Sequence, residues 1–528
     1  MPFRLRALVP AGLAVIAAAP LAAQSAPRPP ASAAVRRAVE TITESDVRTR
    51  IAVIAADSMR GRLTPSPELE QTAAYIAAEF QRFGLRPGGD SGSYLQRYRI
   101  QRTQVDSTSF VMMMGRGAMQ RWTVGQDAGV GGTLPLTDGA VTAPVVLLVG
   151  MPSDTARPFG AVDVRGAIVV QSLPAAPRLR GGPQAALIAK GVAAGVRGWV
   201  FLVNVSSAAL ATQARNALRP QLAVGGPAAG GPAQLPILLV RDSSAIDVLR
   251  AAGEDLAALR DTTSGAVRAM NGVTFTISAR RRVLAEESAP NVVGILEGSD
   301  PQLRDEHVVF SAHMDHTGVA GAGSCSAVGA DSICNGADDN ASGTVGVVEL
   351  AEAFATLTPH PRRSLIFLAV SGEERGLWGS GFYAEHPAAP LAQTVADLNM
   401  DMIGRNWRDT IVVIGKEHST LGEVANRVTR QHPELGMQLI DDIWPAQNFY
   451  TRSDHFNFAR RGVPILFFFN GVHPDYHRPT DSPDRIDAEK EARIVRMVFY
   501  IGLEVANATA RPQWNPESRR QIVADGGN

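Results

Sequence analysis

The sequence predicts an α/β protein, a three-layer α/β/α sandwich around a mixed, mostly parallel sheet. From about residue 290 onward, short apolar runs alternate with stretches of helical length. The apolar runs are nearly continuous, which is typical of strands that helices cover on both faces of a sheet. In such sheets ligands bind beyond the carboxyl ends of the strands. Acidic residues and histidines follow several of these runs.

Each element of this sandwich has its own signal in the sequence. A helix is predicted over residues 72–83, where apolar residues recur with a period near 3.6 and Gly84 and Pro87 follow as stop signals. The predicted strands of the main sheet cover residues 292–296, 308–312, 364–370, 397–402, 410–414 and 464–469. The predicted helices between or after these strands cover residues 344–357, 421–431 and 488–506.

Length and composition limit the class of protein. A chain of 528 residues is expected to form two to four domains, because a domain usually contains roughly 100–200 residues. The apolar share of 45% is ample for a packed core. Lys+Arg and Asp+Glu both number 51, so no basic excess is present to neutralise a phosphate backbone. We therefore expect no nucleic-acid partner.

The N-terminus has the pattern of a secretory signal. Residues 1–23 contain Arg4 and Arg6, then a short apolar stretch, and then small residues suited to cleavage. Residues 24–36 are rich in Pro, Ala and Ser and are predicted to be a linker. No later segment is long and apolar enough to span a membrane. The mature protein is therefore expected to be soluble, in the periplasm or outside the cell.

Residues 137–262 are predicted to form a separate insert. Apolar runs at 145–149, 167–170, 199–203 and 237–240 indicate strands, and residues 184–194 and 244–252 indicate helices. The runs Asp163-Val164-Arg165-Gly166 and Arg197-Gly198 lead into two of these strands, and with them the module resembles a protease-associated domain. The remaining boundaries are residues 37–136 for the N-terminal part of the main domain, 263–510 for its catalytic part and 511–528 for a tail.

Histidines and acidic residues form clusters in the C-terminal part of the chain. None of the ten histidines precedes residue 307. The clusters lie mostly just after predicted strands and contain His313 with Asp315, Asp338 with Asp339, Glu373 with Glu374, Asp401, and His477. Two histidines and three carboxylates that converge at one sheet edge would provide nitrogen and oxygen ligands for two divalent ions. Zinc suits such a mixed set best.

The motifs around these residues identify a family. They are His-x-Asp (313–315), Gly-Ala-Asp-Asp-Asn-Ala-Ser-Gly (336–343), Ser-Gly-Glu-Glu (371–374), Asn-Met-Asp-Met (399–402) and Tyr-His-Arg-Pro-Thr-Asp (476–481). In this order they resemble the co-catalytic dizinc aminopeptidases, a family that also contains glutamate carboxypeptidases and glutaminyl cyclases. The resemblance covers residues 290–505 and the leading helices in 37–100. It implies the zinc-exopeptidase form of the sandwich.

The resemblance assigns a role to each ligand and implies two Zn²⁺ ions per chain. Asp339 is expected to bridge both ions. Glu374 and His477 complete one site, and His313 and Asp401 complete the other. Each ion then has three protein ligands and shares a water molecule whose pKa is lowered toward neutral.

Further residues are expected to act beside the metal. Glu373 matches the general base of the family, and Asp315 is expected to hold the imidazole of His313 with its carboxylate. Tyr450 is expected to stabilise the oxyanion with its hydroxyl, with Tyr476 as the competing donor. The resemblance also implies a cis peptide bond after the bridging aspartate, at Asp339–Asn340.

Three other features are less specific. Cys325 and Cys334 lie nine residues apart, and in an exported protein they are expected to form a disulfide rather than remain two free thiols. His316, three residues after His313, could line the mouth of the pocket, but a surface position is expected for it. His455 is expected near the substrate cleft without binding metal.

The sequence leaves several functions open. The first is a secreted aminopeptidase that acts on peptides. A carboxypeptidase of acidic peptides would need arginines near the site, for which Arg405, Arg452 and Arg478 are candidates. A glutaminyl cyclase is less favoured because it uses one zinc, and a non-catalytic binding protein with a protease-associated domain should have lost ligands. The aminoacylase group carries a dimerisation domain after its Glu-Glu pair, where only 26 residues separate Glu374 from Asp401 here. The oligomeric state is open.

Overall fold

A computed structural model describes residues 32–131, 134, 140–177, 182–225 and 235–523. The predicted signal, residues 1–23, and the start of the predicted linker lie outside the described residues. Helix α1, Ala33–Glu40, begins within the segment predicted as linker. Its N-cap is Ser32, whose hydroxyl accepts the backbone N–H of Val35.

The described residues form eighteen strands and thirteen α-helices. The strands are β1 Arg86–Pro87, β2 Leu95–Val105, β3 Phe110–Gly115, β4 Ala118–Thr123, β5 Ala128–Val130, β6 Val141–Val149, β7 Ile168–Leu173, β8 Gly198–Val203, β9 Gln221–Val224, β10 Ile237–Arg241, β11 Val267–Ser278, β12 Arg281–Leu296, β13 His307–His313, β14 Ser364–Val370, β15 Thr394–Met400, β16 Thr410–Ile414, β17 Gln438–Ile440 and β18 Ile465–Phe469. The further helices are α2 Glu44–Ile54, α3 Pro67–Arg82, α4 Gly182–Ala193, α5 Ser207–Ala217, α6 Ile246–Ala251, α7 Leu256–Arg260, α8 Gly343–Ala355, α9 Trp378–Glu385, α10 Leu421–Gln431, α11 His455–Ala459, α12 Ala488–Asn507 and α13 Pro516–Ile522.

The main sheet is mixed, and its centre is parallel. Its order is β17-β16-β18-β15-β13-β14-β12-β2-β9, and β1 pairs with β12. Strands β14, β13, β15 and β18 run parallel to one another, whereas β12, β2 and β9 continue one side with antiparallel pairs and β16 pairs antiparallel with β18 on the other. The α/β class is confirmed, but the parallel pairing predicted for most of the sheet is found, among its described strands, only between these four and between β16 and β17 at one edge.

Apolar layers cover both faces of this sheet. On β12, Val292 belongs to one buried cluster and the next residue, Val293, to another, because successive side chains of a strand point to opposite faces. The first cluster contains apolar residues of α2, α3, α8, α10 and α12. The second contains Tyr383 of α9 and Phe458 of α11. The three-layer sandwich follows from these two clusters.

Helix α3 shows how local sequence sets an element of the first layer. It begins five residues before the predicted start because Ser66 caps it, accepting the N–H of Leu69, and Pro67 occupies the first turn. Its buried residues, which include Ile76 and Phe80, face the sheet. The chain leaves the helix at Gly84, whose φ of 80° favours glycine.

A second, eight-stranded sheet has the order β4-β3-β11-β6-β7-β8-β10-β5. The segment 137–262, predicted as an insert, contributes β6, β7, β8 and β10 to it. Strands β3, β4 and β5 before this segment and β11 after it complete the sheet. Strand β9 also belongs to the segment 137–262, but it pairs with β2 of the main sheet. The domain boundaries stay a prediction.

The described residues of the predicted tail, 511–523, make hydrogen bonds to earlier parts of the chain. Trp514 donates from Nε1 to the carbonyl oxygen of Gly462 at 2.8 Å, and the N–H of Asn515 donates to that of His418 at 2.7 Å. Within the described ranges, we find no helix with both the length and the apolar character needed to cross a bilayer.

Candidate active site

The predicted ligands lie at the carboxyl ends of the four parallel strands. His313 is the last residue of β13, and Asp401 follows β15 directly. Glu373 and Glu374 come just after β14, and His477 comes after β18. Since parallel strands end at the same edge of a sheet, segments far apart in the sequence meet there.

Asp339 lies in an irregular, π-like turn, Ala337–Ser342, that precedes α8, and its own backbone angles are not helical. The peptide bond Asp339–Asn340 is cis, which confirms the expectation. The carboxylate of Asp481 accepts the backbone N–H groups of Asp338 and Asp339, each at 3.1 Å. The loop after β18 therefore fixes the backbone that presents the central carboxylate.

One oxygen of Asp339 belongs to a first group of ligand atoms. His313 Nε2 lies 3.3 Å from Asp339 Oδ1 and 3.4 Å from Asp401 Oδ1. All three residues are buried, and their ligand atoms lie within 4.8 Å of one another. This spacing suits a shared cation.

The other oxygen of Asp339 belongs to a second group. His477 Nε2 lies 3.1 Å from Asp339 Oδ2 and 3.3 Å from Glu374 Oε1. His316 joins this group, with Nδ1 2.8 Å from Glu374 Oε1 and 3.8 Å from Asp339 Oδ2. The structure therefore brings all five predicted ligands together around Asp339.

The surface position expected for His316 was wrong. The residue is fully buried and its atoms lie within ligand reach of the second group. The chain returns toward the site after Asp315 because the backbone of Leu63 pairs with His316. Its spacing of three residues from His313 is the signal that the sequence offered.

The electrostatics of the site call for a cation. Glu374 Oε1 and Asp401 Oδ1 are buried and accept no hydrogen bond from the described residues. Burial lowers the pKa of His313, but the carboxylates of Asp401 and Glu373 outweigh this and raise it well above its usual value. Buried charges of this kind are stabilised by metal coordination. The chemistry of the donor atoms fits zinc.

Asp315 acts differently from the expectation. Its backbone carbonyl, not its carboxylate, lies in hydrogen-bond range of His313 Nδ1, at 3.1 Å. The nearer carboxylate oxygen is 3.8 Å away, which is too long for a hydrogen bond. The carboxylate instead accepts the hydroxyl of Thr64 at 2.8 Å and the N–H of Glu373 at 3.2 Å. Asp315 therefore fixes the Glu373 loop with its carboxylate and orients His313 with its carbonyl.

A pocket opens beside the first group of ligands. Its polar lining includes His313, Asp339, Glu373 and Asp401, and its apolar wall is made of Met402, Phe449, Phe467, Phe469 and Val472. Trp444 is not part of this lining and packs against Phe449, with ring centroids 5.7 Å apart. The pocket joins carboxylates to an aromatic surface.

The two candidate oxyanion donors lie in different places. Tyr476 lines the pocket beside His477, with ring centroids 3.8 Å apart. Tyr450 does not line it and packs into the apolar cluster against His418, with ring centroids 4.6 Å apart. Sequence could not separate the two, because both lie in loops that return to the same edge.

The structure also shows where the remaining candidate residues lie. Among the three arginines, Arg452 lines the pocket, whereas Arg405 pairs with Asp475 at 2.8 Å and Arg478 is exposed. His455 is fully buried behind the pocket, where its ring stacks on Phe467, and burial lowers its pKa to about 3. It is therefore neutral. Cys325 and Cys334 form the expected disulfide.

Comparisons with known proteins find similar chains. The model of Peptidase family M28 matches residues 291–502. Aminopeptidase YwaD of Bacillus subtilis (strain 168) is 29% identical over 253 residues, which are 46% of this chain and 50% of that protein. A probable zinc metalloprotease of Pyricularia oryzae is 28% identical over 278 residues, 44% of this chain and 52% of that protein. The chain thus spans about half the length of these curated relatives. A solved aminopeptidase from Aneurinibacillus sp. strain AM-1 is 18% identical, with a TM-score of 0.47 over 91% of this chain and 97% of that one.

Proposed function

We propose that the protein is a zinc-dependent exopeptidase, an aminopeptidase that removes N-terminal residues from peptides, and the match of residues 291–502 to the model of Peptidase family M28 supports this. The observation that carries the proposal is the arrangement around Asp339. Its two oxygens face His313 at 3.3 Å and His477 at 3.1 Å, and Asp401 and Glu374 complete the two groups. A binding protein would have no need for this complete ligand set.

Two zinc ions would be held by these residues. His313, Asp339 and Asp401 form one set of donors, and Asp339, Glu374 and His477 form the other, with His316 as an additional nitrogen donor. The geometric support is the close spacing of buried acceptors that otherwise lack partners. Bound zinc supplies Lewis-acid polarisation of the scissile carbonyl and lowers the pKa of water.

Glu373 is the proposed general base. It lines the pocket beside the first group of ligands, and its backbone N–H donates to Asp315, which holds it in place. Burial raises the pKa of Glu373 well above its usual value. A raised pKa makes the carboxylate form a stronger acceptor of a proton from water, and the proton it takes can then pass to the leaving amine.

Tyr476 is the proposed donor to the oxyanion, in preference to Tyr450. Burial and then the carboxylates of Asp339 and Glu374 raise the pKa of Tyr476, so its hydroxyl keeps its proton. A protonated hydroxyl in the pocket stabilises negative charge on the carbonyl oxygen as the tetrahedral intermediate forms. Tyr450 packs in the apolar core instead.

The pocket also suggests which substrates bind. Its carboxylates, Glu373 and Asp401 among them, favour a free α-amine. Its wall of Phe449, Phe467 and Phe469 favours an apolar first side chain. A carboxypeptidase is less favoured because Arg452 is the one candidate arginine in the pocket lining, where Asp339, Glu373 and Asp401 surround it with carboxylates. Arg405 is already paired with Asp475.

Export is part of the same proposal. The signal pattern of residues 1–23 supports it, and so does the disulfide Cys325–Cys334, since disulfides persist in oxidising compartments. We also interpret the segment 137–262 as a protease-associated insert on the strength of its motifs.

A comparison of free and blocked substrates tests the function. The purified protein with added zinc is assayed on leucine p-nitroanilide and on its N-acetyl derivative. An aminopeptidase cleaves the first and leaves the second intact, because only the first offers a free amine. Equal rates on both would contradict the proposal, and so would release of residues from the C-terminus of an N-blocked peptide.

A further inference from the structure

Strand β15 carries polar side chains on one face although it lies at the centre of the sheet. Side chains two residues apart on a strand share a face, so Asp397 and Asn399 lie on the face that continues to Asp401. Both are completely buried. Ser311, on the neighbouring strand β13, and Ser453, just before α11, are buried beside them. Burying polar groups is costly unless they are hydrogen-bonded.

These side chains form a continuous chain of hydrogen bonds that ends on a proposed zinc ligand. The hydroxyl oxygen of Ser311 lies 2.7 Å from Asp397 Oδ1 and 2.9 Å from Asn399 Oδ1. Asn399 Nδ2 donates to Ser453 Oγ at 3.2 Å, and Ser453 Oγ donates to Asp401 Oδ2 at 2.8 Å. The other oxygen of Asp401 faces His313 in the first ligand group.

Counting the protons available to this series of hydrogen bonds shows which groups donate. A serine hydroxyl has one proton, and Ser311 stands between two acceptor oxygens, on Asp397 and Asn399. It satisfies Asn399 only if Asp397 donates a proton of its own to Ser311. All the hydrogen bonds then point the same way: each group donates to the next one, from Asp397 through Ser311, Asn399 and Ser453 to Asp401.

If Asp397 were ionised, the direction of hydrogen-bond donation would be reversed. Ser311 would then donate to Asp397, and the amide of Asn399 would have to turn its nitrogen toward Ser311. Its oxygen would in turn face Ser453 and accept the Ser453 proton. Asp401 Oδ2 would lose its donor and become a second free oxygen beside the metal position.

We propose that Asp397 is a positioning residue whose carboxyl is protonated, so that its proton sets the direction of the chain and makes Ser453 donate to Asp401 Oδ2. Asp401 then presents Oδ1 alone to the cation. This inference rests on the proposed role of Asp401 as a zinc ligand.

The surroundings of Asp397 favour the neutral form. No ion pair joins it to a basic side chain in the described part of the chain, and its Oδ2 accepts no hydrogen bond there. The titratable groups that face it are Asp454 and Tyr383, neither of which is a cation. Burial, opposed by the Ser311 hydrogen bond and aided by Asp454, raises the pKa of Asp397 to about 8.

Infrared spectroscopy tests the proton directly. The difference spectrum between the wild-type protein and Asp397→Asn is recorded at about pH 6, roughly two units below this pKa. We expect a carbonyl band of a protonated carboxyl that is present in the wild type and absent from the variant. A carboxylate band in its place would overturn the proposal. This measurement needs no bound metal.

Zinc affinity, measured by competition with a chelator, tests the positioning role. Asp397→Asn should bind zinc as the wild type does, because its amide N–H donates to Ser311 in place of the acid. Ser311→Ala interrupts the chain and should weaken binding roughly tenfold, in the range typical of groups that support ligands. The control is Ser364→Ala. Ser364 is a buried serine at the start of β14, the strand beside β13, and therefore lies at the end of the sheet away from the site, so its loss should leave the affinity unchanged.

The pH dependence separates this role from a merely structural one. Above about pH 8 the wild type should lose affinity relative to Asp397→Asn, because only the wild type can ionise and reverse the chain. Parallel pH profiles would overturn the proposal, and so would a zinc affinity of Asp397→Asn as low as that of Ser311→Ala. A wild-type protein that binds no zinc would remove the proposed function and this role with it. The infrared band would still report the proton.

Discussion

Arg62 donates from Nη2 to the backbone carbonyl of Gly336 across 3.0 Å. The same guanidinium donates from Nε to the carbonyl of Met314 at 2.8 Å and from Nη1 to that of Asn335 at 2.6 Å. Arg62 is fully buried. It therefore ties the loop that follows His313 to the turn that carries Asp339.

Arg62→Lys is predicted to weaken the site, although the charge is kept. Burial lowers the pKa of Arg62 to about 10, so the side chain is still charged at neutral pH. One ammonium group cannot reach the carbonyls that the planar guanidinium joins. Zinc affinity should fall roughly 10–100-fold, and the unfolding free energy by about 1–3 kcal/mol. Calorimetric titration with zinc measures the affinity, and urea unfolding measures the unfolding free energy. The matched control is Arg60→Lys, since Arg60 is exposed. Unchanged zinc affinity in Arg62→Lys would refute the clamping role.

Glu373→Gln is predicted to stop turnover while zinc stays bound. The amide cannot accept the proton of water, and the loss of a general base typically lowers kcat roughly 10²–10⁴-fold. Steady-state kinetics and metal analysis of the same sample check both statements. The exposed Glu417→Gln serves as control. Near-normal activity in Glu373→Gln would show that another group is the base.

The two tyrosines are predicted to differ when each loses its hydroxyl. Tyr476→Phe removes a donor that lines the pocket, so kcat should fall roughly 10²–10³-fold with little change in KM. Tyr450→Phe removes a hydroxyl that is buried without a hydrogen-bond partner among the described residues, and kcat should stay within a few-fold of wild type. The reverse ranking in kcat would return the role to Tyr450.

Glu491→Gln is predicted to change how stability depends on pH. Glu491 is fully buried, both of its oxygens lack hydrogen-bond partners in the described residues, and burial and then Asp338 raise its pKa well above the usual value. The carboxyl keeps its proton in the folded protein, but it ionises in the unfolded chain above about pH 4.3. Unfolding therefore releases a proton, and the wild type loses up to about 1.4 kcal/mol per pH unit as the pH rises from there toward the folded pKa.

Urea unfolding near pH 4.5 and near pH 7 measures this effect. The variant should gain stability relative to the wild type between the two pH values, because glutamine does not ionise. A stability difference that is the same at both pH values would mean that Glu491 is ionised in the folded protein.

Local patterns predicted those parts of the fold that depend on nearby residues. Helix α10 has the limits predicted for it, residues 421–431, and β14 has those predicted at 364–370. His313, Glu374 and Asp401 could be located because they end or closely follow buried strands, and the parallel arrangement then brings these strand ends together. For these residues, the position in the sequence is enough to predict the position in the fold.

Contacts between distant segments could not be predicted in this way. Arg62 precedes its partner Gly336 by 274 residues, and nothing near it in the sequence indicates that it is buried. The pairing of β9 with β2 and the position of His316 depend in the same way on how the chain returns. Tyr450 and Tyr476 have equivalent local settings, so only their packing distinguishes them.

Zinc stoichiometry tests the central claim most directly. Elemental analysis of the wild type and of three variants, after dialysis against a low concentration of free zinc, counts the ions per chain. If Asp339 joins two sites, the wild type holds two ions, His313→Ala and Glu374→Ala hold one each, and Asp339→Ala holds none. A wild type without zinc, or an Asp339→Ala variant that keeps both ions, would contradict it.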